Sequence, residues 1–212
     1  FLVYMATHLK GDETYFLPFN RGVGEGAQRG AGNPPPELGV GFSTAYLWRE
    51  VWAADSVLDL MQYFVQDVRE RDESGRLKRS VIFPRYHQLD AVRRLVRHAR
   101  EHGPGQNYLI QHSAGSGKSN SIAWLAHRLT SLHDRSDIRV FNSVLVVTDR
   151  VALDQQLGRT VRSFEQTAGL VASVATGAEL KQALESGKQI VVTTQQKFPV
   201  IVGEMRKLSG TR

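Results

Sequence analysis

Apolar and polar positions give the chain two textures. Over the first 79 residues, the apolar, aromatic-rich runs Phe1–Leu9 and Thr14–Phe19 flank a Lys-Gly-Asp-Glu turn, which predicts a β-hairpin. Residues 21–41 are dominated by Gly and Pro and predict a long loop. Leu47, Val51, Ala54, Leu58, Met61, Phe64, Val65 and Val68 then share one face at helical spacing, which predicts a helix over Leu47–Arg71. The charged run Arg71–Arg79 predicts a linker and a domain boundary. From there, short unbroken apolar runs alternate with amphipathic ones. Strands are expected at Ser80–Phe83, Tyr108–Ile110, Val144–Thr148, Leu170–Ala175 and Ile190–Thr194. Helices are expected over Arg85–Glu101, Lys118–His133, Ala152–Phe164, Ala178–Ser186 and Gln196–Leu208, the last broken at Pro199. This alternation implies an α/β fold, a parallel sheet with helices on both faces.

Composition narrows the picture little. An apolar share of 41% over 212 residues suffices for a packed core. Lys and Arg number 27 against 21 Asp and Glu, a net charge of +6 that favours polyanionic partners. Arg93, Arg94, Arg97 and Arg100 fall largely outside the Leu89, Val92, Val96, Ala99 stripe, as a solvated helix face would place them. The absence of cysteine excludes disulfides and thiolate metal sites and fits a reducing compartment. No apolar run approaches the roughly 20 residues needed to cross a bilayer, so a cytoplasmic location without membrane contact is expected. The start at Phe1, inside an apolar run, reads as part of a longer protein.

The chemistry concentrates at Gln111–Ser119, Gln-His-Ser-Ala-Gly-Ser-Gly-Lys-Ser. Glycines at Gly115 and Gly117, with Ser116 between them, let backbone N–H groups close around a phosphate, and the helix that follows favours the anion. Lys118 would reach the β- and γ-phosphate oxygens and the Ser119 hydroxyl would ligate Mg²⁺, which makes them the candidate catalytic pair and ATP the expected ligand. The strict pattern wants Gly six residues before the Lys, where His112 stands. Three further segments bear on which machine this is. Phe83-Pro84-Arg85-Tyr86-His87-Gln88 precedes the loop; Gln88 can pair with the adenine edge and an aromatic can stack on the ring. Thr148-Asp149-Arg150 ends a strand, where Arg150 could contact a phosphate and Asp149 could cap the next helix. Thr193, Thr194 and Gln195 end another strand, and their hydroxyls and N–H suit a nucleic-acid phosphate. A kinase-like NTPase with Asp149 as its Mg²⁺ ligand, or a non-catalytic DNA-binding module, remain the alternatives.

With these motifs the chain resembles the restriction (motor) subunit of type I restriction–modification enzymes. Phe16–Gly22, Gly30–Pro34 and Thr44–Trp48 resemble that family's connector between nuclease and motor, and the segments Phe83–Gln88, Gln111–Ser119, Val146–Leu157 and Thr193–Phe198 resemble its motor motifs. The resemblance implies superfamily-2 helicase architecture with RecA-like lobes. Residues 1–79 would be the end of the nuclease domain and its connector, and 80–212 the first lobe, incomplete before the Asp-Glu-x-His motif. Phe83, Arg85 and Gln88 would lie at the adenine, Gly115–Ser119 would hold ATP and Mg²⁺, and Arg150 and Thr193–Gln195 would line a DNA track. The implied partners are double-stranded DNA and the methyltransferase and specificity subunits. The implied parent activity is ATP-dependent DNA translocation and cleavage, with the fragment alone not turning over.

Overall fold

The computed structural model describes residues 1–24, 30–36, 41–71, 74–149, 151–165, 169–196, 199 and 202–203. It divides into two compact units, one formed by residues 1–91 and 109–114, the other by 92–108 and 115–212. The division falls later than residue 79, and helix α2 (Tyr86–His102) contributes to both.

In the first unit, β1 (Tyr4–Met5) pairs antiparallel with β2 (Leu17–Pro18), so the expected hairpin forms but over only two residues per strand. Asn20 and Asn33 tie the following segment down: Asn20 accepts from the Val3 N–H at 2.8 Å, and Asn33 accepts from Arg21 N–H at 2.9 Å. The described part of 21–41 is therefore hydrogen-bonded, with Val23 and Gly30 exchanging both backbone bonds. The predicted helix over Leu47–Arg71 stops at Phe64. It runs as two π-helical turns, Leu47–Val51 and Leu60–Phe64, around α1 (Ala54–Asp59), closed by Trp52 N–H to Leu47 O at 2.7 Å and Val65 N–H to Leu60 O at 2.9 Å. β3 (Gln66–Arg71) then pairs antiparallel with β4 (Leu77–Ile82), in a register from Gln66 opposite Ile82 to Arg71 opposite Leu77. Within the charged run read as a linker, residues 74–76 thus belong to the turn and residues 77–79 to the second strand of a hairpin. Gly75, at φ 79°, supplies the left-handed turn residue, and Arg79 donates to Asp67 across the strands at 2.7 Å.

Tyr46 anchors this unit's aromatic cluster. It is 3% exposed, meets Tyr86 at 5.2 Å between ring centroids and donates its hydroxyl to Phe19 O at 2.5 Å. Burial, helped by the neighbouring Tyr86 and opposed by Arg21, pushes its pKa up to about 12. The folded state therefore holds this proton more tightly than the unfolded chain, whose Tyr titrates near 10. The stabilisation is whole below about pH 10 and is lost as pH rises through about 12. Tyr46→Phe is expected to flatten the decline of stability between those pH values, as read by urea melts.

The second unit carries the parallel sheet, in the order β5 (Val144–Thr148), β7 (Ile190–Thr194), β6 (Val171–Ser173). Every residue of β7, the central strand, is buried. α4 (Val151–Ser163) carries the chain from β5 past β7 to β6, and α5 (Gly177–Glu185) brings it back one place. Right-handed crossovers in opposite directions put these helices on opposite faces. α3 (Lys118–Thr130) packs with α4 and on β5 and β7. On the other face α5 packs through Leu180 and Ala183 against Val174 and Val191. It leaves Leu145 and Val147 of β5 each 44% exposed. Helices therefore cover both faces as expected, unevenly at the β5 edge.

Tyr108–Ile110 corrects the sequence reading. It forms no strand, and Leu109 is 93% exposed. An apolar run becomes a strand only where a neighbour pairs its backbone, and no described strand does so here. The expected helix over 196–208 lies mostly outside the described residues.

Candidate nucleotide loop and strand-end ledge

The glycine-bearing turn opens α3 directly. Gly117 is the residue before the helix, at φ 80° and ψ 34°, a left-handed conformation that glycine adopts without strain. Its carbonyl accepts from the N–H groups of Asn120 at 3.1 Å and Ser121 at 3.3 Å. Gly115, at φ 71°, has open space where a Cβ would stand, so the backbone can be approached closely at that point. Ser116 between them is buried, Lys118 is exposed as the first helical residue, and Ser119 is half-buried. No acidic residue occupies the first turn of α3 and no side chain caps it. A helix start that carries a lysine and no carboxylate is poorly matched to its own dipole and well matched to an incoming anion. These residues therefore fit a nucleotide phosphate with its metal ion, Gly115–Lys118 around the phosphate and Ser119 as an oxygen ligand. Among the described residues, no group of three or more His, Cys, Asp or Glu could hold a metal on its own.

The carboxyl ends of β5 and β7 lie side by side, with Thr148 opposite Thr194. This joins two motifs that are 45 residues apart in sequence. The Gln195 N–H donates to Thr148 O at 2.5 Å, and Gln196 Nε2 donates to Asp149 O at 2.7 Å. The two turns form one ledge. α3 hands on to β5 through residues 131–143 and packs along the same strands, which sets its first turn toward this end of the sheet. The donors expected to meet nucleic acid are, however, largely inside. Thr193 is 1% exposed and its hydroxyl donates to Val174 O at 3.1 Å. Thr194 is fully buried, and its Oγ1 finds no hydrogen-bond partner among the described residues. Gln195 presents its side chain to solvent, and Asp149 is exposed. Arg150 lies outside the described residues.

The adenine-side candidates belong to the first unit and are engaged within it. Phe83 packs its ring on Phe19 at 6.0 Å. Gln88 is 3% exposed, and its Oε1 accepts the Arg85 N–H at 2.8 Å. That is the reciprocal bond of a helix capping box, with Gln88 reaching back over the first turn of α2. His112, the departure from the strict loop pattern, is half-buried and meets His87 edge-on at 4.8 Å. The sequence reading missed His87, which nothing in its spacing marks, and Gln196, which follows Gln195 and carries the same side chain.

The family model described as SWI2/SNF2 ATPase matches residues 87–210, which take in Gln88, the glycine loop and both strand ends but not Phe83 or Arg85. The chain belongs to the SWI2/SNF2 ATPase family. The match accounts for the parallel sheet and the loop together, and it makes the chain part of a helicase-like ATPase that uses a nucleotide. Among its relatives is the type I restriction enzyme HindI endonuclease subunit of Haemophilus influenzae, 30% identical over 160 residues. The aligned region covers 72% of this chain and 14% of that protein, so the chain spans about a seventh of that relative. The resemblance to type I restriction subunits drawn from the motifs agrees with this relative. No helix among the described residues is long and apolar enough to cross a membrane.

Proposed function

We propose that this member of the SWI2/SNF2 ATPase family is a piece of the ATP-driven, DNA-translocating endonuclease subunit of a type I restriction enzyme. The observation that carries the reading is the ledge: two strand-end motifs joined at the end of the sheet toward which α3 and its glycine loop open. In this reading residues 80–212 are most of a first RecA-like lobe, and residues 1–79 end a nuclease domain and its connector. The N–H groups of Gly115–Lys118 and the Lys118 ammonium hold the β- and γ-phosphates. Mg²⁺ at the Ser119 hydroxyl would neutralise charge on the terminal phosphates. Arg150 and Gln195 meet the backbone of double-stranded DNA, with Thr193 and Thr194 as buried supports of the strand end, and the parent works in the cytoplasm with methyltransferase and specificity subunits. The net charge of +6 agrees with a polyanionic partner.

Duplex binding by the chain is expected to fall steeply with salt. Arg150→Ala is expected to lower duplex affinity several-fold and to reduce the log–log salt slope by about one, as loss of a single phosphate contact should. Fluorescence anisotropy across a salt series reads both. Transfer of the γ-phosphoryl group to a small acceptor, with no duplex binding, would instead place the protein among kinase-like NTPases with Asp149 on the metal. Salt-sensitive duplex binding without any nucleotide binding would make it a DNA-binding module.

A further inference from the structure

We infer that Gln196 is a positioning residue that latches the Thr148–Asp149 turn to the end of β7 and so fixes the surface offered to the DNA backbone. The inference rests on the DNA-track reading above. The parallel ladder of β5 and β7 runs in register from Val144 opposite Ile190 to Thr148 opposite Thr194. Beyond that pair the backbone supplies one more bond, Gln195 N–H to Thr148 O. The chain then turns, and the next bond comes from a side chain: Gln196 Nε2 reaches Asp149 O at 2.7 Å. A carboxamide thus extends the ladder by one step past the last strand residue.

The step matters because of where it falls. Asp149 immediately precedes Arg150, so the carbonyl that Gln196 engages belongs to the peptide bond leading into the proposed phosphate contact. A carbonyl oxygen turned toward a phosphate repels it; one that accepts a hydrogen bond from Gln196 is both shielded and held in place. Thr193 and Thr194 are buried, so the ledge presents its polar surface through Gln195 and Gln196. An ordinary surface hydrogen bond would give the same distance. It would not make the binding of DNA depend on the amide donor.

The test is Gln196→Met, which keeps the length of the side chain and removes the donor. Affinity of the full chain for a labelled DNA duplex is expected to fall about fivefold, the scale of one neutral hydrogen bond. Amide exchange at Asp149, Arg150 and Gln195 is expected to accelerate. Mg·ATP affinity and the melting temperature, which a general loss of structure would move, are expected to stay where they are. Gln196→Lys, which restores a donor of similar reach, is expected to restore slow exchange. If wild type and Gln196→Met bind duplex equally well, the latch is overturned and the DNA-track reading stands. If the wild-type chain binds no duplex at all, that reading falls and the latch with it.

Discussion

Lys118→Ala is expected to lower the affinity for Mg·ATP about 100-fold while leaving the fold at least as stable. Each hydrogen bond to a charged group contributes about 1.5–3 kcal/mol, and about 1.4 kcal/mol is a factor of ten, so losing the ammonium from two phosphate oxygens accounts for the size. The stability half follows from the helix. Lys118 is exposed and stands first in α3, where a cation opposes the helix dipole at a cost of about 0.3–1 kcal/mol. Alanine also has the higher intrinsic helix propensity at that position. Isothermal titration gives the affinity and a thermal melt gives the stability. An unchanged affinity would remove the phosphate-loop assignment. A large drop in melting temperature would mean that Lys118 is there for the fold.

That opposition between local stability and ligand chemistry is why the loop could be read from sequence. Glycines at Gly115 and Gly117 followed by Lys118 and Ser119 violate helix-start preferences in a way that phosphate binding explains, and both glycines do adopt positive φ. The strands of the second unit were legible for a simpler reason. Val144–Thr148 and Ile190–Thr194 are short, β-branched and apolar without alternation, as strands buried in a parallel sheet must be. Their rank in the sheet was not legible. The two runs are almost equally apolar, yet β7 is buried throughout and β5 exposes Leu145 and Val147, because only the order of crossovers decides which strand is central.

The first unit was read less well because its signals are ambiguous at the residue level. Phe64, Val65 and Val68 continue the helical spacing of Leu47–Met61, but Gly75 and the cross-strand pair Asp67–Arg79 turn residues 66–82 into a hairpin, and neither acts until the chain folds back. The charge of the run Arg71–Arg79 hid the start of strand β4 for the same reason: its stabilising partners are across the ladder, not along the sequence. Gln88 shows the limit for sites. A carboxamide two residues after Tyr86 can read a base or cap a helix, and the choice depends on burial, which the sequence does not state. At 3% exposure, with its oxygen on Arg85 N–H, Gln88 is a cap in this structure.

Trp124→Ala is expected to cost about 4 kcal/mol of stability. Trp124 is 1% exposed and lies midway along α3, with its ring 5.4 Å from that of Phe164, itself 2% exposed. Leu157 and Val161 of α4 are buried on the same helix pair, and His127 adds a 2.8 Å hydrogen bond from α3 to Val161 O. Truncating a buried Trp or Phe costs about 3–5 kcal/mol, more where the surroundings cannot collapse into the space. α3 as a whole packs on β5 and β7, and β7, fully buried and tied on both sides, leaves the helix little freedom to settle into a void. For a chain of this length such a loss lowers the melting temperature by roughly 10 °C or more. Trp124→Phe, which keeps a ring against Phe164, should recover most of the difference. The consequence for the nucleotide loop separates scaffold from chemistry. Trp124 fixes the helix whose first residue is Lys118, so Trp124→Ala should weaken nucleotide binding only by the fraction of chain unfolded, and cooling should restore it. Lys118→Ala should lose binding at every temperature with its fold intact. If cooling Trp124→Ala restores the fold and not the binding, the loop depends on the packing of α3 more closely than a helix-borne phosphate site requires.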